Sequence, residues 1–346
     1  MKKKITAAVL GSTGYVGLEL IYILSRHSGI KIIFLGSENF PNKDIREFDK
    51  RITNDTLPKL DLYKNIDLTN IDLVFLALPH VVSQNFVKEN INKTKIIDLS
   101  ADFRLDDSEV YRNNYNSVHS CPDLLNNFIY GLSEINFELI RNCNNIAVPG
   151  CYPTSIQIPL IPLIKKRLIL SNKIIADSKS GYSGAGKNLK KKFKTPNIFK
   201  SISAYSVGSH RHTSEIDQEL SKANKSLINV IFTPHLSPMF RGILSTIYVD
   251  LPKKINAKII YNYLRKYYKK NYFIKINKFN TPIGTGNVMN TNDCRMSICE
   301  SRKKNKIIIL SAIDNLIKGG SGQAVQNMNM YYGFNEKLGF KWKLYI

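Results

Sequence analysis

The sequence predicts an α/β protein with two domains, the first built on a doubly wound parallel sheet. The chain has 346 residues, more than one hydrophobic core usually supports. Short apolar runs alternate with amphipathic or loop segments up to about residue 150. Beyond that point the runs become longer and richer in β-branched residues, which indicates a second, mixed α/β domain.

The first domain is predicted from short apolar runs, each of a length typical of a buried strand. Segments with a helical or loop pattern separate them, and the repeated order of strand, helix and strand favours parallel pairing. The predicted strands are 5–10, 31–35, 72–78, 95–99 and 146–148.

In the second domain, β-branched runs predict further strands, with helices between them. One helix is expected around Ile216 and Leu220, with Thr213 and Ser214 as candidate caps. A last helix is expected after Gly322. The predicted strands are 173–176, 227–232, 243–249 and 307–312.

The composition is strongly basic, with 50 Lys and Arg against 27 Asp and Glu, a net charge of +23. Such an excess first suggests phosphates, nucleic acid or an anionic membrane as partners. The lysines are scattered through 187–200, 253–278 and 302–306 rather than gathered in one motif. No apolar run approaches the roughly 18 residues that a membrane helix needs. We therefore expect a small-molecule substrate, and neither nucleic acid nor a membrane as partner.

Cysteine usage indicates the compartment. The five cysteines contain no C-x-x-C pair and no histidine at a zinc-finger spacing, so we expect no metal site. An odd number of scattered thiols fits the reducing cytoplasm. The lysines at the start precede an apolar run that ends at Gly11, which is too short for a signal peptide.

A glycine-rich segment follows the first predicted strand and leads into a helical pattern. Gly11 would allow a tight bend, Gly14 the approach of a pyrophosphate to backbone N–H groups, and Gly17 close packing of the helix on the strand. A plain β–α turn without a ligand is the alternative. The candidate cofactor contacts are Gly11, Ser12, Thr13, Gly14, Tyr15, Val16 and Gly17.

The end of the second predicted strand bears on the choice between NAD and NADP. Glu38 is placed to hold a ribose 2′-OH, which would select NAD. Ser37 is small and donates a hydrogen bond, and Lys43 is close enough in sequence to reach a 2′-phosphate. NADP is favoured, with Ser37 as a further cofactor contact.

Cys151 stands out among the cysteines because Gly150 and two prolines frame it. It follows a short strand and precedes a helical run that we expect to start near Thr154. A thiol at a helix N-terminus meets the positive end of the helix dipole, which favours the thiolate. Cys151 is therefore a candidate nucleophile, whereas the other four cysteines are interpreted as small buried hydrophobic residues.

Two histidines directly precede the helix predicted around Ile216. Nucleophilic catalysis by a thiol requires an imidazole that acts as acid and base. His210 and His212 each offer one: one of the two could serve as the base, while the other, with Arg211, would hold an anionic group of the substrate. A metal site on the two histidines is a poorer interpretation, because no carboxylate or thiol lies at a recognisable spacing.

These segments together resemble the N-acetyl-gamma-glutamyl-phosphate reductase family, within the aspartate-semialdehyde dehydrogenase-like superfamily. The resemblance runs nearly from end to end. Besides the glycine turn it rests on Leu99-Ser100-Ala101-Asp102-Phe103-Arg104, Pro149-Gly150-Cys151-Tyr152-Pro153-Thr154, the segment 180–186, His210-Arg211-His212-Thr213, Thr233-Pro234-His235-Leu236, Lys318-Gly319 and the segment 322–327.

The resemblance implies a Rossmann domain and an α+β domain of the glyceraldehyde-phosphate/aspartate-semialdehyde dehydrogenase type. Residues 1–150 with 315–346 would bind NADP, and residues 151–314 would serve catalysis and oligomerisation. A homotetramer is implied. Glu38-Asn39-Phe40-Pro41-Asn42-Lys43 departs from the family's usual adenosine-phosphate segment, which puts cofactor preference in doubt more than reaction type.

By the same resemblance, Cys151 is the nucleophile and His212 the acid/base. Arg104, His210 and Arg211 would contact the carboxylate or phosphate of the substrate. Ser183 and Gly184 would approach the nicotinamide, and Asn315 would hold its carboxamide.

The implied reaction is NADPH-dependent reduction of N-acetyl-L-glutamyl 5-phosphate through a cysteine thioester, in arginine biosynthesis. A sister reductase acting on aspartyl phosphate is one rival, disfavoured by the Cys-Tyr-Pro-Thr sequence. A short-chain reductase or epimerase is another, but it needs a Tyr-x-x-x-Lys pair, and none of the 18 tyrosines has lysine four residues later.

Overall fold

The computed structural model describes residues 4–187, 197 and 199–340. The chain forms two compact units, one of residues 1–149 with 320–346 and the other of residues 150–319. Relative to the division expected from the sequence, Gly150 and residues 315–319 fall in the second unit. Within the described residues, no helix is both long and apolar enough to cross a bilayer.

The first unit contains a parallel sheet with helices between its strands. The sheet order is β3-β2-β1-β4-β5-β7-β6, and each recorded pairing is parallel. The elements in chain order are β1 (Ile5–Leu10), α1 (Tyr15–Leu24), β2 (Ile30–Gly36), β3 (Leu60–Asp61), β4 (Leu73–Leu76), α2 (Val82–Asn90), β5 (Lys95–Asp98), α3 (Ser108–Tyr115), β6 (Phe128–Tyr130), α4 (Phe137–Arg141) and β7 (Asn145–Ala147).

The second unit contains a mixed sheet of order β12-β13-β14-β11-β8-β10-β9. Helix α5 packs against its central strands. The elements are α5 (Cys151–Lys165), β8 (Leu170–Gly181), β9 (Ser203–Ala204), α6 (His212–Asn224), β10 (Ile231–Ser237), β11 (Ile243–Asp250), α7 (Ala257–Tyr267), β12 (Ile274–Ile276), β13 (Cys294–Glu300) and β14 (Lys306–Ile313). A π-helical turn, Ile317–Ser321, leads into α8 (Gly322–Tyr331).

Helix α8 belongs to the first unit and is buried over most of its length, polar side chains included. Asn327 donates from Nδ2 to the carbonyl of Gly131 (2.8 Å) and accepts from Ser133 Oγ (2.7 Å). Asn329 Oδ1 lies 2.9 Å from Nε2 of His27. Buried polar groups are tolerated when they are hydrogen-bonded, so these amides fix the helix in place.

Two predictions about helix starts in the second unit were wrong. Helix α5 begins at Cys151 rather than near Thr154, because a proline in the first helical turn removes only an N–H that has no intrahelical partner. Helix α6 has Arg211 at its N-cap and no side-chain cap. Ser214 lies inside the first turn and donates to the carbonyl of Arg211 (2.9 Å).

Strand β10 lies further along the chain than the predicted 227–232 and includes Pro234. A proline cannot donate to a sheet ladder, so it is found near sheet edges. The neighbour of β10 on the outer side is β9, which pairs only through Ser203 and Ala204. The proline is therefore accommodated next to an edge strand that pairs over two residues.

Candidate active site

Cys151 is the first residue of α5 and is half-buried. Gly150 precedes it with an extended backbone and acts as the N-cap. Both the backbone N–H and the hydroxyl of Thr154 donate to the Gly150 carbonyl, each at 2.9 Å. The first turn of α5 carries no acidic side chain of its own, and the positive end of its helix dipole favours a thiolate at Cys151.

Glu215 connects helix α6 to the start of α5. Its Oε1 accepts a hydrogen bond from the backbone N–H of Gly150 at 2.8 Å. Its carbonyl accepts from Nε2 of Gln157 at 2.9 Å. Glu215 is fully buried, so this carboxylate fixes the residue before the thiol to the helix that begins with His212.

The two histidines lie together at the start of α6. Their ring centroids are 4.9 Å apart, and the backbone N–H of His212 donates to Nδ1 of His210 at 3.1 Å. Burial, with the nearby charge of Arg211, lowers the pKa of His210 to about 4. His210 is therefore neutral at pH 7, and because Nδ1 accepts, its proton lies on Nε2.

Aromatic contacts join these histidines to the residue that follows the thiol. The ring of Tyr152 lies 5.5 Å from the ring of His210 and 6.0 Å from that of His212, both edge to face. Arg211 is exposed, whereas both histidines are buried. The structure thus brings together the starts of α5 and α6, which carry the predicted nucleophile and the predicted acid/base.

Sequence reasoning missed Glu215 and Tyr205. Tyr205 donates to the hydroxyl of Tyr152 at 3.1 Å, and Tyr152 donates to the carbonyl of His235 at 3.3 Å. Burial raises the pKa of both tyrosines, and the nearby Cys151 raises it further. No local pattern marks either missed residue: Tyr205 follows no recognisable motif, and Glu215 looks like an ordinary charged residue of an amphipathic helix.

Asn315 lies at the centre of another hydrogen-bonded group in the second unit. Its Nδ2 donates to Ser183 Oγ (2.9 Å), and its Oδ1 accepts from the backbone N–H of Gly242 (2.7 Å). Gly184 lies close by, since a Cβ there would be 3.5 Å from Nδ2 of Asn315. The predicted contacts Ser183, Gly184 and Asn315 are therefore neighbours, and Asn315 also orders the turn at Gly242.

In the first unit the predicted glycine turn joins β1 to α1. Gly11 has a φ of +86°, and a Cβ there would lie 2.3 Å from the carbonyl oxygen of Ala77. A Cβ on Gly17 would lie 2.2 Å from the Gly11 carbonyl oxygen. Both positions exclude a side chain, the first also by its left-handed backbone.

Gly14 differs from the other two glycines of the turn. It is the N-cap of α1, and a Cβ there would meet only the Gly11 carbonyl oxygen, at 3.6 Å. No side chain caps α1, and its first turn has no acidic residue. A glycine without a packing requirement at an uncapped helix start fits a pyrophosphate, which would receive the backbone N–H groups there.

The other residues predicted around this turn are placed as follows. Ser12 is fully buried and donates to the carbonyl of Val9 (2.8 Å), whereas Thr13, Tyr15 and Val16 are partly exposed. Ser37 is buried just after β2.

Lys43 is exposed, like Glu38, and its Nζ lies 3.4 Å from Glu47. Arg104 belongs to the first unit, and donates to the carbonyl of Leu99 at 3.0 Å.

Among the described residues, no three His, Cys, Asp or Glu side chains cluster as metal ligands do.

The fold and the matching family models define an oxidoreductase of the semialdehyde dehydrogenase class. Two family models match the chain: "Semialdehyde dehydrogenase, NAD binding domain" over residues 6–143 and "Semialdehyde dehydrogenase, dimerisation domain" over residues 151–315. The sequence is 42% identical over 340 residues to N-acetyl-gamma-glutamyl-phosphate reductase of Ehrlichia canis, covering 98% of each chain. It is 43% identical over 336 residues to the Caldicellulosiruptor bescii protein of the same name, covering 97% of each.

The chain belongs to the N-acetyl-gamma-glutamyl-phosphate reductase family, which confirms the resemblance seen in the sequence. Among solved structures it is similar to aspartate semialdehyde dehydrogenase II from Vibrio cholerae, with a TM-score of 0.74, 17% identity, and coverage of 96% of this chain and 99% of that chain. The Candida albicans aspartate semialdehyde dehydrogenase gives a TM-score of 0.65 at 16% identity, covering 95% and 99%. These structures support the predicted fold class.

Proposed function

We propose that this chain reduces N-acetyl-L-glutamyl 5-phosphate to N-acetyl-L-glutamate 5-semialdehyde and phosphate, a step of arginine biosynthesis. The name shared by its full-length relatives supports the substrate. One observation carries the chemistry: Cys151 begins α5, and the N–H of Gly150 just before it is bound by Glu215 of the helix that begins with His212. A thiol and an imidazole are thereby held on adjoining helix starts.

The first half of the reaction forms a thioester. The Cys151 thiolate, paired with a protonated His212, attacks the acyl carbon and forms the S–C bond. Backbone N–H groups at the start of α5 stabilise the oxyanion. The C–O bond to phosphate then breaks, and phosphate leaves with the proton of His212, so that a neutral imidazole and an acylated Cys151 remain.

The second half releases the aldehyde. The nicotinamide cofactor, when bound, supplies a hydride to the acyl carbon. The C–S bond then breaks, the aldehyde forms, and Cys151 leaves as thiolate. His212 takes up a proton from solvent and restores the ion pair. His210 stays neutral throughout and, with Arg211, contacts an anionic group of the substrate, as does Arg104.

NADP is the proposed cofactor. The glycine turn 11–17 and Ser37 would hold its adenosine and pyrophosphate, and Ser183, Gly184 and Asn315 its nicotinamide end. The exposed Lys43 supports a 2′-phosphate contact, while Glu38 on the same segment favours NAD. Comparing the two cofactors with Lys43→Ala and native protein tests this choice: a loss confined to NADP supports it, and equal KM values for NAD and NADP contradict it.

We propose a homo-oligomer, with a tetramer as the form that the family resemblance implies. The strand register of the second unit aligns a row of apolar or weakly polar side chains across its sheet. This row supports an interface on that sheet. Three are exposed: Ile231 by 64%, Ile175 by 39% and Tyr248 by 39%. The row comprises Ile231, Ile175, Tyr248, Ile308 and Cys299. Such a row on a monomer marks an association surface.

A cytoplasmic location is proposed for the same chain. All five cysteines lie in the described part of the sequence, and none of them forms a disulfide. Thiols persist in that state in a reducing compartment.

The reaction is tested in reverse by following nicotinamide absorbance with N-acetylglutamate semialdehyde, NADP and phosphate. The native protein is expected to reduce NADP only when phosphate is present, because phosphate must release the acyl group. Cys151→Ala should abolish the signal, and Cys143→Ala, at a buried cysteine in the other unit, should retain it. Faster turnover of aspartate semialdehyde would overturn the proposed substrate, and activity in Cys151→Ala would overturn the thioester.

A further inference from the structure

We infer that the π-helical turn Ile317–Ser321 holds the nucleophile in position, and that Gly319 is a positioning residue for Cys151. The inference rests on the proposed function, in which Cys151 is the reacting thiol. It concerns how the second unit fixes the place of that thiol rather than the chemistry that the thiol performs.

The backbone of Gly319 packs directly against Cys151. A Cβ on Gly319 would lie 2.6 Å from the Cβ and 3.0 Å from the Cα of Cys151, and 3.3 Å from Cδ1 of Ile313. The first atom is the base of the cysteine side chain and the second is backbone, so neither can rotate away. A side chain at 319 would therefore displace either the turn or the first residue of α5.

The backbone of the turn is fixed from its N-terminal side by Asp314. Oδ1 of Asp314 accepts from the N–H groups of Leu316 (3.0 Å) and Ile317 (3.3 Å). Its carbonyl accepts from the N–H of Gly319 at 3.0 Å, a bond that spans five residues, the spacing typical of a π-turn. The position of Gly319 is thus set by a carboxylate five residues earlier.

Asp314 is itself held from two further directions. Its Oδ2 accepts from the N–H of Asn290 (2.8 Å) and lies 3.3 Å from Nη1 of Arg241. Nη1 of Arg241 also donates to Oδ1 of Asn290 at 2.7 Å. Asp314 is fully buried and Arg241 is 9% exposed. A buried ion pair with these additional hydrogen bonds restricts the turn to one arrangement.

Lys318 anchors the same turn. It is fully buried, and its Nζ lies 5.9 Å from the centroid of the Phe273 ring. Burial raises the pKa of Asp293, and the charges of Lys275, Arg295 and Lys318 oppose that rise. A buried ammonium group is costly unless opposite charge is near; Lys318 lies beside the Phe273 ring and within electrostatic reach of Asp293.

A plain alternative is that glycine at 319 only permits tight packing. The two interpretations differ in what they predict for the reactivity of the Cys151 thiol. If the turn positions Cys151, displacing the Cβ of Cys151 moves its sulfur relative to the N–H groups of α5, which lowers thiolate reactivity even when the protein is fully folded. Misplacement of a reacting group by about 1 Å costs on the order of 100-fold in rate.

The experiment compares Gly319→Ala with Gly286→Ala, which makes the same change where nothing lies within 4 Å of the added Cβ. Cys151 alkylation by iodoacetamide is measured against pH by peptide mass spectrometry, with thermal unfolding, NADP binding and turnover in parallel. Gly319→Ala should lower the alkylation rate at pH 7 by roughly 10-fold or more and shift its pH profile, with NADP binding retained. Gly286→Ala should match the native protein.

A folded Gly319→Ala with native alkylation and turnover overturns the inference. If Gly319→Ala does not fold, Lys318→Met serves instead, because it keeps the length of the side chain and removes its charge. Native alkylation in folded Lys318→Met then overturns the inference. Alkylation needs no substrate. If the native protein is inactive toward every semialdehyde but the variant is alkylated more slowly than the native protein, the positioning role of the turn is supported while the proposed function is contradicted.

Discussion

Oε1 of Glu215 accepts a hydrogen bond from the backbone N–H of Gly150 at 2.8 Å, and both residues are buried. This bond spans 65 residues and joins the residue before the proposed nucleophile to the helix of the proposed acid/base. The geometry of the site therefore depends on a side chain that itself takes no part in bond making.

Glu215→Ala should lower kcat by roughly 10- to 100-fold, with a smaller change in KM, because the start of α5 loses its fixed position. It should also destabilise the protein by about 1–3 kcal/mol, since the Gly150 N–H is left unsatisfied. Glu215→Gln retains an acceptor oxygen and should recover most of the activity. Equal loss in both variants, measured by steady-state kinetics and thermal unfolding, would contradict this account.

His210 should not contribute an inflection to the pH profile of activity above about pH 5, because its pKa is lowered to about 4. The unfolded chain takes up this proton near pH 6.5 and the folded chain near 4. Stability present above pH 6.5 is therefore lost as the pH falls toward 4, by up to about 3 kcal/mol. Nuclear magnetic resonance titration of the imidazole provides the measurement, and a midpoint near 6.5 would refute the prediction.

Asp98 should have the opposite effect on stability. Burial, and next the charge of Asp102, raises its pKa to about 7 from an ordinary 3.8. The folded protein keeps this proton while the unfolded chain releases it, so stability is lost as the pH rises from about 4 to about 7, by up to about 4 kcal/mol. Asp98→Asn should remove this component of the pH dependence of unfolding. Exposed Asp123→Asn should not, and a native pH dependence in Asp98→Asn would disprove the assignment.

Substitutions at two glycines of the turn should affect different properties, one the stability of the protein and the other its affinity for the cofactor. Gly11→Ala adds a Cβ 2.3 Å from the Ala77 carbonyl oxygen at a φ of +86°, and should destabilise the first unit by roughly 3 kcal/mol or more. Gly14→Ala meets no such crowding and should unfold like the native protein while binding NADP more weakly. Dinucleotide titration by fluorescence, beside thermal unfolding, checks both, and native NADP affinity in Gly14→Ala would count against the proposed pyrophosphate contact.

A charged substitution in the proposed interface should lower the mass of the protein in solution. Ile175→Lys places a charge in the exposed apolar row on the sheet of the second unit and should dissociate the oligomer, since a buried unpaired charge is costly. Lys173→Glu, at an exposed position earlier on the same strand, is the control. Light scattering after gel filtration gives the mass. An Ile175→Lys protein with the mass of the native oligomer would place the interface elsewhere.

Much of the fold could be predicted from local patterns. β1 and the glycine turn follow from an apolar run and a glycine spacing, and both depend on residues adjacent in sequence. Strands β3, β6, β9, β12 and β13 were not predicted. The first four have two or three residues each, too few for a periodicity to show, and β13 has seven residues but no continuous apolar run. Their pairing depends on neighbours distant in sequence.

The site divides in the same way. Cys151, His210 and His212 could be proposed from local framing and from residue chemistry. Glu215 and Gly319 could not, because each acts through a contact with residues far away in the chain. A buried glutamate on a polar helix and a glycine before a helix are common in sequences and become informative only when their neighbours are known.

The most direct test of the central claim is the acyl-enzyme itself. The native protein is mixed with N-acetylglutamyl 5-phosphate in the absence of cofactor, quenched in acid, digested and analysed by mass spectrometry. The account predicts one N-acetylglutamyl group on the peptide that contains Cys151, and none in Cys151→Ala. An unmodified Cys151 in a preparation that turns over when NADPH is added, or the acyl group on another residue, would contradict it.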